Sequence, residues 1–261
     1  MVLAVLALAS APAPARAGLA DRVGATFGLM AEEFIQAFQP VEGLVVALDG
    51  DEIFLDLTAK GGAQPGQEYV VFRKGATFFH PYTQKALGRY EDVLGHAQVR
   101  RVQEQFSVAL FIPLPDKPRP RPEDGVRITR GRIRVAITPV LDLADSRADL
   151  RRVPFLLSTA LERSKRFQVV DPLAVSDMFA SGSVRVEEML ARPERAVRAI
   201  RNLDVAGWIV PVLIERRGVT YVDVTYISAI TGTALLSRRQ PLVPASAVEE
   251  QRFPWEPQVE D

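Results

Sequence analysis

The sequence predicts an α+β protein in two parts: a small β-barrel-like domain, joined by a Pro-rich linker to a β-α-β-α-β-β-β domain with helices packed on a mixed sheet. Three observations carry this prediction. Short apolar runs broken by glycine turns fill residues 41–112, prolines crowd the stretch from Pro113 to Pro122, and strand-like and helix-like periods alternate from Arg132 onward. With 261 residues, 48% of them hydrophobic and 25% charged, the chain can build two modest cores. Lys plus Arg and Asp plus Glu each total 32, so no net field favours nucleic acid, and no nucleic-acid partner is expected. The absence of cysteine excludes thiol catalysis, zinc–thiolate sites, disulfides and a lipid on cysteine.

Taken in order, residues 2–11 form an apolar run, followed by Pro12, Pro14 and the A-x-A pattern Ala15-Arg16-Ala17. Residues 1–17 therefore read as a signal peptide, although no basic residue precedes the run, and the mature chain is expected to start near Gly18. The run is about half of the roughly 20 residues a bilayer span needs, so no transmembrane anchor is expected. Within residues 18–40, Leu19, Val23, Phe27, Met30, Phe34 and Phe38 recur at helical spacing and predict an amphipathic helix, expected to cap the β domain that follows. Gly24 and Gly28 weaken that helix intrinsically, and Pro40 ends it.

In the β domain, 41–112, Asp49-Gly50 between two apolar runs predicts a hairpin. Strands are expected over 68–73, 93–102 and 106–112, with His80-Pro81 in a turn and His96 in a strand. No other His or Cys completes a transition-metal set. Residues 113–124 read as a semi-rigid linker and domain boundary, because repeated proline favours extended chain and removes sheet donors. In the second domain, 125–244, a strand is expected over 132–140. Ser146 with Asp149 resembles a capping box opening a helix whose inner face is Leu150, Val153, Leu157 and Leu161. A strand at 167–170 follows, then helical stretches opened by Pro172 and Pro193, then three strands separated by Arg217-Gly218 and Thr231-Gly232. The tail, 245–261, including Pro254-Trp255-Glu256-Pro257, has no period and is expected to be loose.

Two stretches resemble known families. Val41-Glu42-Gly43, Pro65-Gly66, His80-Pro81-Tyr82-Thr83, Leu87-Gly88 and Val93-Leu94-Gly95 are similar to the C-terminal β domain of flagellar assembly protein T, with Gln84 standing where that pattern has glycine. Val135-Ala136-Ile137-Thr138-Pro139, Arg166-Phe167-Gln168-Val169-Val170-Asp171, Asn202-Leu203-Asp204-Val205-Ala206 and Ile230-Thr231-Gly232-Thr233 resemble the αβ domain shared by the amino-terminal region of TolB, the curli secretion protein CsgG, FlgO, FlgT and LpoB. The second resemblance implies action by protein contact in the bacterial envelope, with no catalytic residues to carry over.

Chemistry is sparse. Asp142, Asp145 and Asp149 form the best candidate cluster for a hard cation, yet capping of a helix start explains them more simply. Ser158 has no histidine in its own domain to activate it, and neither a phosphate loop nor a G-x-G-x-x-G turn is present. Trp208, within an apolar strand, is expected in the core. No catalytic, metal or cofactor residue is assigned. The candidate partner contacts are Tyr69, His80 and Tyr82 in the β domain, with Arg238 and Arg239 at a strand end. The expectation is an exported, non-enzymatic periplasmic protein that binds envelope proteins and can form homo-oligomers; a glycan- or peptidoglycan-binding module is the alternative.

Overall fold

The computed structural model describes residues 18–182, 184–200 and 203–246, so the expected signal peptide, Asn202 and most of the expected tail lie outside the described residues. The first helix, α1 (Leu19–Ala37), buries the predicted stripe of Val23, Phe27, Met30 and Phe34. Its partner is not the one expected. The stripe packs on α2 (Val153–Arg163) and on strands β11 (Val219–Ser228) and β12 (Ala234–Pro241) of the second half of the chain. Arg22 Nε donates to the Val243 carbonyl at 2.8 Å, and the Val243 N–H donates to Thr26 Oγ1 at 3.1 Å. Gly24 faces Leu156 so closely that a β-carbon would lie 2.9 Å from its Cδ1, and the missing side chain is what lets the two helices approach.

From α1 the chain enters a closed, all-antiparallel barrel of order β1-β2-β5-β4-β3-β6. Its strands are β1 (Val41–Asp49), β2 (Glu52–Leu55), β3 (Glu68–Phe79), β4 (Ala86–Val102), β5 (Ser107–Pro113) and β6 (Gly125–Ile128). Alternation turns Val45, Ile53, Leu55, Tyr69, Val71, Leu94, Ala97, Val99 and Val126 inward. The proline-rich stretch is therefore a connection within the barrel, and the expected boundary at 125 is corrected: Gly125–Ile128 pairs with both β1 and β3. The side chains at its end give the reason. Asp124, almost fully buried, accepts from Arg73 Nη2 at 2.7 Å and from the Arg121 N–H at 2.8 Å, pulling the end of the segment onto the barrel. Gly125 lies opposite Phe72, whose ring would be 2.3 Å from a β-carbon there, so only glycine lets β6 close the edge of β3.

Beyond Thr129 the chain returns to the body that α1 began. The sheet runs β12-β11-β10-β7-β9, with β7 (Ile133–Ile137) parallel to β9 (Phe167–Val169) and to β10 (Gly207–Arg216), and the short β8 (Leu141–Asp142) also on β10. α1 and α2 cover one face; α3 (Pro172–Ala180), α4 (Val186–Ala191) and α5 (Pro193–Ala199) serve the other, around Trp208, which is core as expected. The α+β class stands, with helices on both faces of a mixed sheet. Asp171 caps α3 through the Leu173 N–H, and Arg217-Gly218, both at positive φ, make the tight β10–β11 turn. The capping box expected at Ser146 does not form. Asp145 and Arg147 take positive φ, Ser146 Oγ instead donates to Asp142 Oδ2, and the helix starts at Val153 with Pro154 in its first turn. Barrel interior and one sheet face form a single continuous core.

Candidate contact arm

Strands β3 and β4 outrun the barrel. β6 covers β3 only over Val70–Phe72, and β5 covers β4 only from Gly95 onward, so Lys74–Phe79 and Ala86–Asp92 pair with each other alone. At about 3.3 Å per residue, this two-stranded arm reaches roughly 20 Å beyond the barrel wall. Two register shifts within it, at Lys74/Thr77 and Phe78/Phe79, twist it and blunt its open edges against strand addition, and a third at Val71/Phe72 lies where it leaves the barrel.

The base of the arm is ion-paired and the far part is not. Arg127 Nη2 meets Glu91 at 2.6 Å and holds its carboxyl below the usual carboxylate range, while Lys74 reaches Glu42 at 3.6 Å and Lys117 reaches Asp92 at 2.5 Å. Past that ring, residues 75–90 contain Lys85 and Arg89 but no Asp or Glu. Apolar side chains stand in water there: Tyr82 is 91% exposed, Tyr90 64%, and Phe79 and Leu87 55% each. Phe78 lies over Gly88 and its ring centroid is 5.0 Å from that of Tyr90.

The tip is closed by its own groups. The His80 N–H donates to the Lys85 carbonyl and the Gln84 N–H to the His80 carbonyl, both at 2.9 Å. His80 Nδ1 accepts from the N–H groups of Tyr82 and Thr83 at 3.2 Å each, so the neutral ring carries its proton on Nε2. Gln84, standing where the resembled pattern has glycine, takes φ 55°, the left-handed conformation glycine supplies freely, and its Nε2 donates to the Pro81 carbonyl.

Of the expected contacts, the structure brings His80 and Tyr82 together at this tip, with ring centroids 6.0 Å apart. The other three lie elsewhere. Tyr69 is wholly buried inside the barrel, its hydroxyl donating to Gln67 Oε1 at 2.6 Å and its pKa pushed up by burial, so it cannot meet a partner. Arg238 pairs with Glu33 of α1, and Arg239 Nε donates to Asp223 at 3.0 Å; both satisfy neighbours within the chain. Sequence reasoning missed Phe79, Leu87, Tyr90, Lys85 and Arg89. Their signal was present in the alternation flanking His80-Pro81, but Gly75, Ala76 and Gly88 interrupt the apolar pattern that announces a strand.

A concavity of about 190 Å³ lies where barrel meets sheet, lined in part by Glu68, His96, Arg132 and Tyr226. Glu68 accepts from Ser228 Oγ and Thr231 Oγ1 at 2.6 Å each, joining β3 to the β11–β12 turn, and burial raises its pKa. Asp142 of the acidic cluster accepts from the Ala144 and Ser146 N–H groups, and Asp149 pairs with Arg151. Among the described residues, no group of three or more His, Asp or Glu is placed to hold a metal ion, and no helix is long and apolar enough to cross a membrane.

No family model matches the chain. An uncharacterised protein of Aquifex aeolicus is 35% identical over 83 residues, which is 32% of this chain and 16% of that protein. Among solved structures, the LpoB C-terminal domain from Escherichia coli is similar over 44% of this chain and 86% of its own, with 12% identity and a TM-score of 0.36. Lipoprotein GNA1162 from Neisseria meningitidis is similar over 44% and 83%, with 15% identity and a TM-score of 0.33.

Proposed function

We propose that this is an exported, periplasmic protein of the bacterial envelope that works by contact with other envelope proteins and carries out no chemistry of its own. The observation that supports it is the arm: exposed Phe79, Tyr82, Leu87 and Tyr90 held on a hydrogen-bonded ribbon whose base is clamped by ion pairs. Scattered single apolar residues need no explanation, but aromatic side chains gathered on one projection suit burial against a partner. The resemblance of residues 132–240 to αβ domains of envelope proteins, and the export signal read in residues 1–17, agree with this reading.

The test is a photo-crosslinking residue at Tyr90 in the native host, with a second at exposed Lys60, away from the arm, as control. A discrete protein adduct formed at Tyr90 and absent at Lys60 is the expected result. Sedimentation with purified sacculi separates the glycan-binding alternative, because only that reading has the purified protein pelleting directly. Pelleting with sacculi and no adduct at Tyr90 would overturn the protein-contact reading.

A further inference from the structure

Taking the arm as a contact surface, we propose that its tip inserts into the interface of an anionic phospholipid bilayer, so that protein partners are met by a body already held at a membrane. Four features of the arm converge on this partner. Beyond its ion-paired base the charge is of one sign: residues 75–90 hold Lys85 and Arg89 and no Asp or Glu, and neither cation takes a carboxylate partner among the described residues. Anionic headgroups attract such groups by roughly fivefold each. Its apolar side chains lie on both faces of the ribbon: strand alternation sets Leu87 opposite Gly88 and Tyr90, and Phe78 packs on the Tyr90 side. A bilayer interface surrounds both faces of such a ribbon at once.

The most exposed aromatic, Tyr82, sits at the extreme end, where an amphipathic ring can bury its body and keep its hydroxyl wet. Finally, every backbone N–H from His80 to Gln84 is bonded within the tip, two of them to the His80 ring, with Pro81 having none to satisfy. Leaving water therefore strands none of these donors, which removes one part of the cost of entering a lipid phase.

The test is co-sedimentation of the full chain with vesicles of phosphatidylglycerol mixed with phosphatidylcholine, against phosphatidylcholine alone. The parent is expected to bind the anionic vesicles and to release as salt rises. Tyr82→Ser and Lys85→Glu are each expected to weaken binding roughly tenfold or more. Both positions are exposed and outside the core, and an unchanged thermal midpoint checks that the variants fold. In a Tyr82→Trp variant, emission should shift to the blue on adding anionic vesicles, beyond any change in the parent.

No binding to anionic vesicles overturns the proposal. So does binding that both substitutions leave unchanged, which assigns the affinity to another part of the chain, such as the apolar run at 2–11. A protein adduct at Tyr90 in the host without vesicle binding overturns the lipid partner and leaves the contact reading standing; failure of both experiments removes both.

Discussion

Glu68 shows how one side chain can carry opposing demands. It ties the barrel to the β11–β12 turn through two hydroxyl donors, yet burial disfavours its charge, and the guanidinium groups of Arg127, Arg132 and Arg134, the imidazole of His96 and the hydroxyl of Tyr226 share its cavity. A carboxyl whose pKa is raised in the folded state binds more protons folded than unfolded above its ordinary value of 4.5. Its contribution to stability is thus fully present below that value and is lost as pH rises through the folded pKa. His96 acts oppositely: burial lowers its pKa, so stability is gained as pH rises toward 6.5. Because the two act in opposite senses, a difference between parent and variant isolates one of them. Subtracting the denaturant stability of Glu68→Gln from that of the parent at each pH should give a curve that declines as pH rises above 4.5; a flat difference would show that Glu68 titrates normally.

At the scale of elements, α1 gives the sharpest contrast, because its two glycines look alike in sequence and differ in place. Gly28 is exposed, with nothing near the position a methyl group would take, so Gly28→Ala should stabilise by about 0.5–1 kcal/mol through helix propensity alone. Gly24 faces Leu156, and Gly24→Ala should destabilise instead by forcing the α1–α2 contact apart. Urea unfolding of both variants checks the pair, and stabilisation by both would mean that α1 does not pack closely on α2. The same element shows where the sequence was legible. The apolar spacing of Val23, Phe27, Met30 and Phe34 named the buried face, but periodicity says only that a face is buried, never against what. The arm was half legible for a related reason. His80-Pro81 marked its turn, whereas Lys74–Phe79 and Ala86–Asp92 pair without a core beneath them and so leave no clean alternation.

Across the whole molecule, the barrel is set into the αβ body between α1 and β7, and the join is made by Arg166. Its guanidinium, from the turn before β9, donates at 2.6 Å to the carbonyls of Phe38, Gly131 and Thr129, the points where the chain enters and leaves the barrel. Arg166→Ala leaves these carbonyls without a donor and should cost about 3 kcal/mol, and Arg166→Lys should not restore it, since one ammonium cannot reproduce the fork. Calorimetry of the parent should give one transition, because barrel and sheet share a core; two resolved transitions would break that view.

Local periodicity and turn chemistry suffice for the α+β class, most strand and helix positions, the core place of Trp208 and the turn at His80, since each of these depends on residues close together in the chain. Packing between distant segments settles the rest. It makes Gly125–Ile128 close the barrel, gives α1 to the far half of the chain, turns Tyr69 inward while Tyr82 becomes the outermost aromatic, and pairs Arg238 and Arg239 within the chain. Those are matters of which surfaces meet across long stretches of sequence. No local pattern encodes them, because a buried stripe, a strand edge or a charged side chain reads the same whichever partner completes it.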